Sequence, residues 1–124
     1  MTKPLALIFY ERLMPGSQLV NRLQDLGYRV QTVTNPSHVL TVAKKEKALF
    51  ILMDLKIQSG STAWVIQDLK KHPDTAHIPI LGFGTKKEEK LQQEATKAGA
   101  NLVALDDALL QQLPQLLDHL LQIE

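Results

Sequence analysis

The chain has 124 residues, enough for one domain with a sizeable core but too few for two ordinary domains. Its 14 Lys and Arg residues nearly balance 13 acids, and this net charge of +1 argues against a nucleic-acid binder that neutralises phosphates. The absence of cysteine excludes disulfides, thiol catalysis and Cys-ligated zinc, and no apolar run reaches the roughly 18 residues that span a bilayer. We therefore expect one domain, residues 1–124, that is cytoplasmic and makes no membrane contact.

The N-terminal third predicts two strands separated by a helix. Pro4–Tyr10 is apolar throughout, which is typical of a strand covered on both faces. A stripe of leucines and valines then predicts a helix, with Ser17 as its N-cap and Gly27 just past its end. Tyr28–Thr34 is β-branched but more polar, and predicts a second strand nearer an edge of the sheet.

The middle of the chain repeats this alternation. "NPSHVLTVAKKEK" predicts a helix capped by Asn35 or Ser37, and "ALFILMD", the most apolar run, predicts a central strand that ends on Asp54. "STAWVIQDLKKH" predicts a helix that starts at Ser61 and ends before Pro73, because a residue before proline disfavours helical geometry.

The C-terminal part predicts two more strands and two helices. Ile78–Gly84 and Asn101–Leu105 are the strands, and "KKEEKLQQEATKAGA" between them is a charged helix that ends at Gly99. Pro114 interrupts the last Leu-rich segment, and a proline inside a helix costs roughly 3 kcal/mol. We expect the last helix to begin near Pro114, with "DDALLQQ" as a turn or an imperfect first turn.

Strands that alternate with helices of this length indicate βαβ units and a parallel sheet. The pattern predicts an α/β protein with a flavodoxin-like, doubly wound (βα)5 fold and a five-stranded parallel sheet of order 2-1-3-4-5. In such a sheet the functional crevice lies at the carboxyl ends of the strands. These ends are Tyr10–Glu11, Thr34, Asp54, Gly84–Thr85 and Asp106–Asp107.

A resemblance to a known family rests on three stretches of the sequence, which are "LFILMDLKIQSG", "LKKHPDTAHIPILGFGT" and "TKAGANLVAL". In this order and spacing the sequence resembles the CheY-like response-regulator receiver domain over essentially the whole chain. The resemblance implies phosphorelay (two-component) signal transduction, in which an aspartate that ends the third strand accepts a phosphoryl group. Asp54 matches that phospho-acceptor. From spacing alone, a solvated acid at a strand end or a turn cap explains Asp54 equally well.

The resemblance also implies a Mg²⁺ site, which this sequence matches only in part. The family's two adjacent metal-binding acids match Tyr10 and Glu11, so a phenol replaces one acid. The remaining ligands would be Glu11, Asp54 and the backbone carbonyl of Lys56. We expect the Lys56 ammonium to lie near the metal position, where it could replace the metal electrostatically.

Other positions depart from the family's pattern. Its switch hydroxyl matches Gly84, and Thr85 lies one position late, so that its side chain should point elsewhere. Its lysine at the end of the fifth strand matches Asp106, and the following proline matches Asp107. A charge pair at about 4 Å and an effective dielectric near 20 is worth roughly 4 kcal/mol, so the lost lysine should weaken stabilisation of a phosphoryl group greatly. The loop from Asp54 to Gly60 is also shorter than is usual.

These departures predict a degenerate receiver, or pseudo-receiver, that acts by protein–protein interaction, without enzymatic activity and without a resident cofactor. The alternative is a functional receiver that a histidine kinase phosphorylates at Asp54 with Mg²⁺. The expected partner is a histidine kinase or an output protein, and no nucleic acid.

A second copy of the chain is another expected partner, through the face formed by the fourth helix, fifth strand and fifth helix. The C-terminal segment has more leucines than one core-facing stripe needs, although a deeply buried last helix would also explain them. The interface candidates are Leu109, Leu110, Leu117 and Leu121.

Overall fold

The computed structural model describes residues 4–57 and 60–122, with the backbone alone described at residues 13–15. Within these residues, five parallel strands form one sheet in the order β2-β1-β3-β4-β5. The strands are β1 (Leu5–Phe9), β2 (Arg29–Val33), β3 (Phe50–Asp54), β4 (Ile80–Gly84) and β5 (Leu102–Leu105). This topology confirms the predicted flavodoxin-like fold.

Helices cover both faces of the sheet, as right-handed crossovers between parallel strands require. They are α1 (Leu13–Asp25), α2 (Val39–Glu46), α3 (Thr62–Lys71), α4 (Glu89–Ala98), α5 (Asp106–Gln111) and α6 (Leu113–Gln122). Short 3₁₀ turns, Pro36–His38 and Lys86–Glu88, precede α2 and α4. Among the residues described, no helix has the length and apolar character needed to cross a bilayer.

The central strands β1, β3 and β4 are buried on both faces, which explains their continuous apolar runs. Alternate residues of these strands enter two cores on opposite sides of the sheet. One core packs the sheet against α2, α3 and α4. The other packs it against α1, α5 and α6, with Ile8 and Phe50 at its centre. The carboxyl ends of the strands are thereby held at one rigid edge.

Helix α1 begins at Leu13, so the prediction that Ser17 caps it is wrong. Pro15 lies in the first turn, where its missing N–H removes no intrahelical hydrogen bond. Gly16 lies under the ring of Tyr10, and a Cβ added at Gly16 would come within 2.3 Å of Tyr10 Cδ2. The earlier start of α1 therefore depends on a glycine that admits an aromatic ring.

The predicted break near Pro114 is confirmed, but "DDALLQQ" is not a turn. Its first six residues, Asp106–Gln111, form α5, and the chain breaks at Gln112 before α6. Pro114 lies in the first turn of α6, a position that tolerates proline.

The same geometry corrects half of the interface prediction. Leu109 is 0% exposed and Leu117 is 2% exposed, both within the core that faces α1. Fully buried side chains cannot contact a partner of the folded protein, so these two leucines are core residues. Leu110 and Leu121 are half-buried and pack at the margin of that core.

Candidate functional site

Three charged side chains meet at the carboxyl edge of the sheet. Asp54 ends β3 and is 0% exposed, Arg12 follows β1, and Asp106 follows β5 as the first residue of α5. Because β3 lies beside β1 in a parallel register, the residues just past both strands are neighbours. The topology thus brings together residues that are 42 and 94 positions apart in the chain.

The Arg12 guanidinium binds both oxygens of the Asp54 carboxylate. Nη2 donates to Oδ1 at 2.7 Å, and Nε lies 3.1 Å from Oδ2 and 3.2 Å from Oδ1. The backbone N–H of Lys56 adds a hydrogen bond to Oδ1 at 3.1 Å, and that of Arg12 lies 3.4 Å from Oδ2. A forked, charge-assisted contact of this kind is the strongest that an arginine makes with a carboxylate.

Arg12 also reaches Asp106, so that one cation bridges two acids. Its Nη1 donates to Asp106 Oδ2 at 3.1 Å. Hydrogen bonding to Asp54 raises the pKa of Arg12 despite partial burial, and the two carboxylate charges add to this effect. The guanidinium therefore stays charged in the site.

Asp106 is less completely hydrogen-bonded than Asp54. Burial raises the pKa of Asp106, and the charges of Asp54 and Glu88 add to the rise, although Arg12 opposes it. Its Oδ1 atom is buried and has no hydrogen-bond partner in the part of the chain that the structure describes. Asp106 lies at the end of the fifth strand, where an acid was expected, and Arg12 is its counterion.

Arg12 is the site residue that the sequence reasoning missed. Lys56 was expected to supply the cation, but its side chain is exposed and it contacts Asp54 through its backbone N–H. The signal was available in the sequence, since Arg12 follows directly after the Tyr10–Glu11 pair, at the edge where Asp54 and Asp106 were expected.

Tyr10 does not act as a ligand in this cleft. Its ring lies over Gly16 and packs against the core that faces α1. Glu11, beside it, is half-buried. Residues 58 and 59, in the loop expected to be short, lie outside the described residues, and Asp107 is exposed in the first turn of α5.

The residues at this site do not fit a bound Mg²⁺ in the observed arrangement. Both oxygens of Asp54 already accept from Arg12, and Tyr10 occupies the position of one expected acid. Over residues 4–57 and 60–122 no three His, Cys, Asp or Glu side chains are grouped as a metal site requires. The guanidinium takes the electrostatic role that a cation would have beside Asp54.

The end of β4 presents no hydroxyl to Asp54. Thr85 turns its hydroxyl toward Glu88, donating to Oε2 at 2.6 Å, as expected for a side chain one position late. Glu88 is only 6% exposed, and its Oε1 accepts the Thr85 backbone N–H at 2.8 Å. A Cβ placed on Gly84 would lie 3.3 Å from that Oε1 atom, so the Glu88 carboxylate covers the glycine.

The charge of Glu88 is maintained despite its burial. Burial pushes the pKa of Glu88 upward, but the hydrogen bonds from Thr85 and the charges of Arg12 and Lys56 bring it below its ordinary value. Glu88 is thus within electrostatic range of Arg12 and Lys56, and Asp106 within range of Arg12, Asp54 and Glu88.

Comparison with known proteins agrees with this architecture. A family model of the response regulator receiver domain matches residues 15–117. The chain belongs to this family. As a receiver domain it is a member of a family of two-component signalling domains that are not themselves enzymes. No curated protein sequence matches the chain.

Solved structures of other receiver proteins share its fold. A protein of Chloroflexus aurantiacus assigned as a response regulator is 19% identical, covers 98% of this chain and 99% of its own, and has a TM-score of 0.88. The chemotaxis protein CheY4 of Vibrio cholerae is 19% identical over 96% of this chain and 99% of its own, with a TM-score of 0.84.

The third example contains a metal. The receiver domain of the sensor histidine kinase PA1611 of Pseudomonas aeruginosa, with a magnesium ion coordinated in its active site cleft, is 16% identical. It covers 98% of this chain and 99% of its own, with a TM-score of 0.86. At these identities the likeness concerns the fold alone.

Proposed function

We propose that this receiver domain is a single-domain cytoplasmic adaptor of two-component signalling that binds protein partners without phosphorylation of Asp54. The observation that carries the proposal is the Arg12 bridge, which engages both oxygens of Asp54 and one oxygen of Asp106. The acceptor is neutralised from within the chain, so that the domain holds one conformation.

The bridge opposes phosphorylation because a carboxylate attacks phosphorus through a free oxygen lone pair. Arg12 would have to leave Asp54, which would then stay buried and unpaired. Removing one partner of a buried ion pair costs about 3–5 kcal/mol, and somewhat less where the pair is partly exposed, as Arg12 is. An opening cost of about 2 kcal/mol would leave roughly one site in thirty open.

The surrounding charges add to this resistance. A phosphoryl group on Asp54 would bring nearly two negative charges to a site that already holds Asp106 and Glu88. The phosphoryl group would compete with Asp106 for Arg12. The Asp106 carboxylate would then lose its only described hydrogen-bonding partner. The modified state should therefore form slowly and be short-lived.

The alternative is a functional receiver that a histidine kinase phosphorylates at Asp54 with Mg²⁺. One feature of the site favours it, because a guanidinium also binds phosphate oxygens in a forked geometry. In that case Arg12 would move from the carboxylate to the phosphoryl oxygens.

The proposed partners are a histidine kinase, an output protein or a second copy of the chain. The face formed by α4, β5 and α5 is a suitable contact surface, because the edge strand β5 is half-exposed along its length. Leu110, half-buried on α5 beside Gln18 and Arg22 of α1, remains the better interface candidate, with Leu121 farther along α6. Sedimentation over a range of concentrations would reveal self-association that Leu110→Glu weakens.

Reactivity at Asp54 separates the two functions. The protein is incubated with acetyl phosphate and MgCl₂, or with beryllofluoride, and amide chemical shifts near Lys56, Gly84 and Asp106 are followed. We expect no saturable change in the wild type and a clear response in Arg12→Ala, with Asp54→Asn added to that variant as the control. A saturable wild-type response that Asp54→Asn abolishes would establish the phosphorylated receiver instead.

A further inference from the structure

The turn that begins α4 is built around one buried carboxylate. Both oxygens of Glu88 accept hydrogen bonds from Thr85, from its backbone N–H and from its hydroxyl. This reciprocal capping box satisfies donors at the start of the helical segment that leads into α4. The position of this turn therefore depends on a carboxylate that remains charged and in place.

That carboxylate is also linked to the Asp54 site by charge. The positive charges of Arg12 and Lys56 favour ionised Glu88, and ionised Glu88 in turn disfavours ionised Asp106. The backbones are adjacent as well, since Asp54 pairs with Phe83 in the sheet and Glu88 covers the next residue, Gly84. Within the described residues, Glu88 thus belongs both to the α4 turn and to the charge network of the site.

We infer that Glu88 transmits the charge state of the Asp54 site to the start of α4. When Arg12 is paired as observed, the Glu88 carboxylate is stabilised and caps the turn. When Arg12 is drawn away from Asp54 and Asp106, or an anion is added to Asp54, the Glu88 carboxylate loses this stabilisation and releases the two donors of Thr85. The buried Glu88 carboxylate would then link the site to α4, because Gly84 has no hydroxyl that could do so.

This inference rests on the proposed arginine-neutralised site and concerns how that site reaches the α4 face. The direct test is a double-variant cycle followed by amide chemical shifts. Arg12→Gln removes the positive charge and leaves a shorter, polar side chain, and Glu88→Gln removes the negative charge while keeping the shape. Each is made alone and together, and the shifts of residues 85–89 are compared with those of residues 54–56.

We expect a change in amide chemical shifts that depends on Glu88. Arg12→Gln should shift the amides of residues 85–89 in the wild-type background and should lose that effect when Glu88→Gln is present. Its effect on residues 54–56 should persist in both backgrounds. Glu89→Gln is the matched control, because Glu89 is an exposed neighbour in the same helical turn and should leave the response to Arg12→Gln intact.

Equal shifts of residues 85–89 in both backgrounds, or none in the wild type, would overturn the inference. If Glu88→Gln fails to fold, Thr85→Val provides the second variant, because it removes the hydroxyl donor and should reduce the same response. Phosphorylation of the wild-type protein would refute the proposed function, but it would leave this cycle and its outcome unchanged.

Discussion

Arg12 shows at the residue scale how one guanidinium can bind two carboxylates at once. It is one-quarter exposed, whereas Asp54 is fully buried, so its removal leaves buried Asp54 and neighbouring Asp106 without the guanidinium that pairs with both. We expect Arg12→Ala to lower the free energy of unfolding by about 2–3 kcal/mol at neutral pH, somewhat below the cost for a fully buried pair. Urea denaturation measures this change.

Two control variants define the origin of that loss. Arg22→Ala removes an exposed arginine from α1 and should change stability by no more than about 0.5 kcal/mol. Arg12→Lys keeps the charge but loses the fork, so its stability should lie between that of the wild type and Arg12→Ala. A loss for Arg12→Ala as small as that for Arg22→Ala would mean that the bridge contributes little to the fold.

At the scale of the element, α1 is fixed against β1 by the contact between Gly16 and Tyr10. In an ordinary helix Gly→Ala is stabilising by about 1 kcal/mol, but here the added Cβ would meet the Tyr10 ring. We expect Gly16→Ala to destabilise the protein by about 1–3 kcal/mol, the usual cost of overpacking. In a Tyr10→Ala background the same substitution should become neutral or stabilising, and thermal unfolding of the four proteins tests the change of sign.

A second test at this scale concerns the orientation of α5. Leu109 is fully buried and the adjacent Leu110 is half-buried, so they face different surroundings on one short helix. Leu109→Ala should cost about 2–5 kcal/mol, the range for a buried leucine, and Leu110→Ala clearly less. Equal losses in urea denaturation would contradict the assignment of Leu109 to the core.

These elements also show what the sequence could predict. The strands follow from runs of the right length, Asn35 is one of the two expected caps, and the helix expected from Ser61 begins at Thr62 with Ser61 as its N-cap. The start of α1 was missed because a Pro-Gly pair usually marks a turn, and only the packing of Tyr10 explains the helix there. Leu109 and Leu117 were misjudged because the sequence does not show which way α5 and α6 rotate on either side of the break at Gln112.

The positions of the acids at the ends of the strands could be predicted from the sequence, but the identity of the cation that pairs with them could not. Strand ends place Asp54 and Asp106 at one edge by topology alone. Whether Arg12 or Lys56 pairs with Asp54 depends on how far each side chain extends and on the direction of the backbone. The spacing of residues in the sequence shows neither. The arrangement around Glu88 likewise arises from a turn whose geometry forms only in the folded chain.

At the scale of the whole molecule, the buried acid Glu88 and the partly buried acid Asp106 give folding stability opposite dependences on pH. The pKa of Glu88 lies below its ordinary value, so the ionised folded form contributes stability above the unfolded pKa near 4.3. That contribution is lost as the pH falls through the lowered folded value. The pKa of Asp106 is raised, so its contribution is present below about pH 3.9 and is lost as the pH rises through the raised value.

We therefore predict that the contributions of Glu88 and Asp106 to stability change in opposite directions as the pH rises. The wild type should exceed Glu88→Gln in stability by more at pH 7 than at pH 3.5. The stability of the wild type relative to Asp106→Asn should instead be higher at pH 3.5 than at pH 7. Urea denaturation of the three proteins at a series of pH values measures both, since carboxylates common to all three cancel in the differences. Glu89→Gln, at an exposed neighbour of Glu88, is the matched control variant. Parallel slopes for Glu88 and Asp106 would show that the two acids do not experience the opposing environments that the network around Arg12 creates.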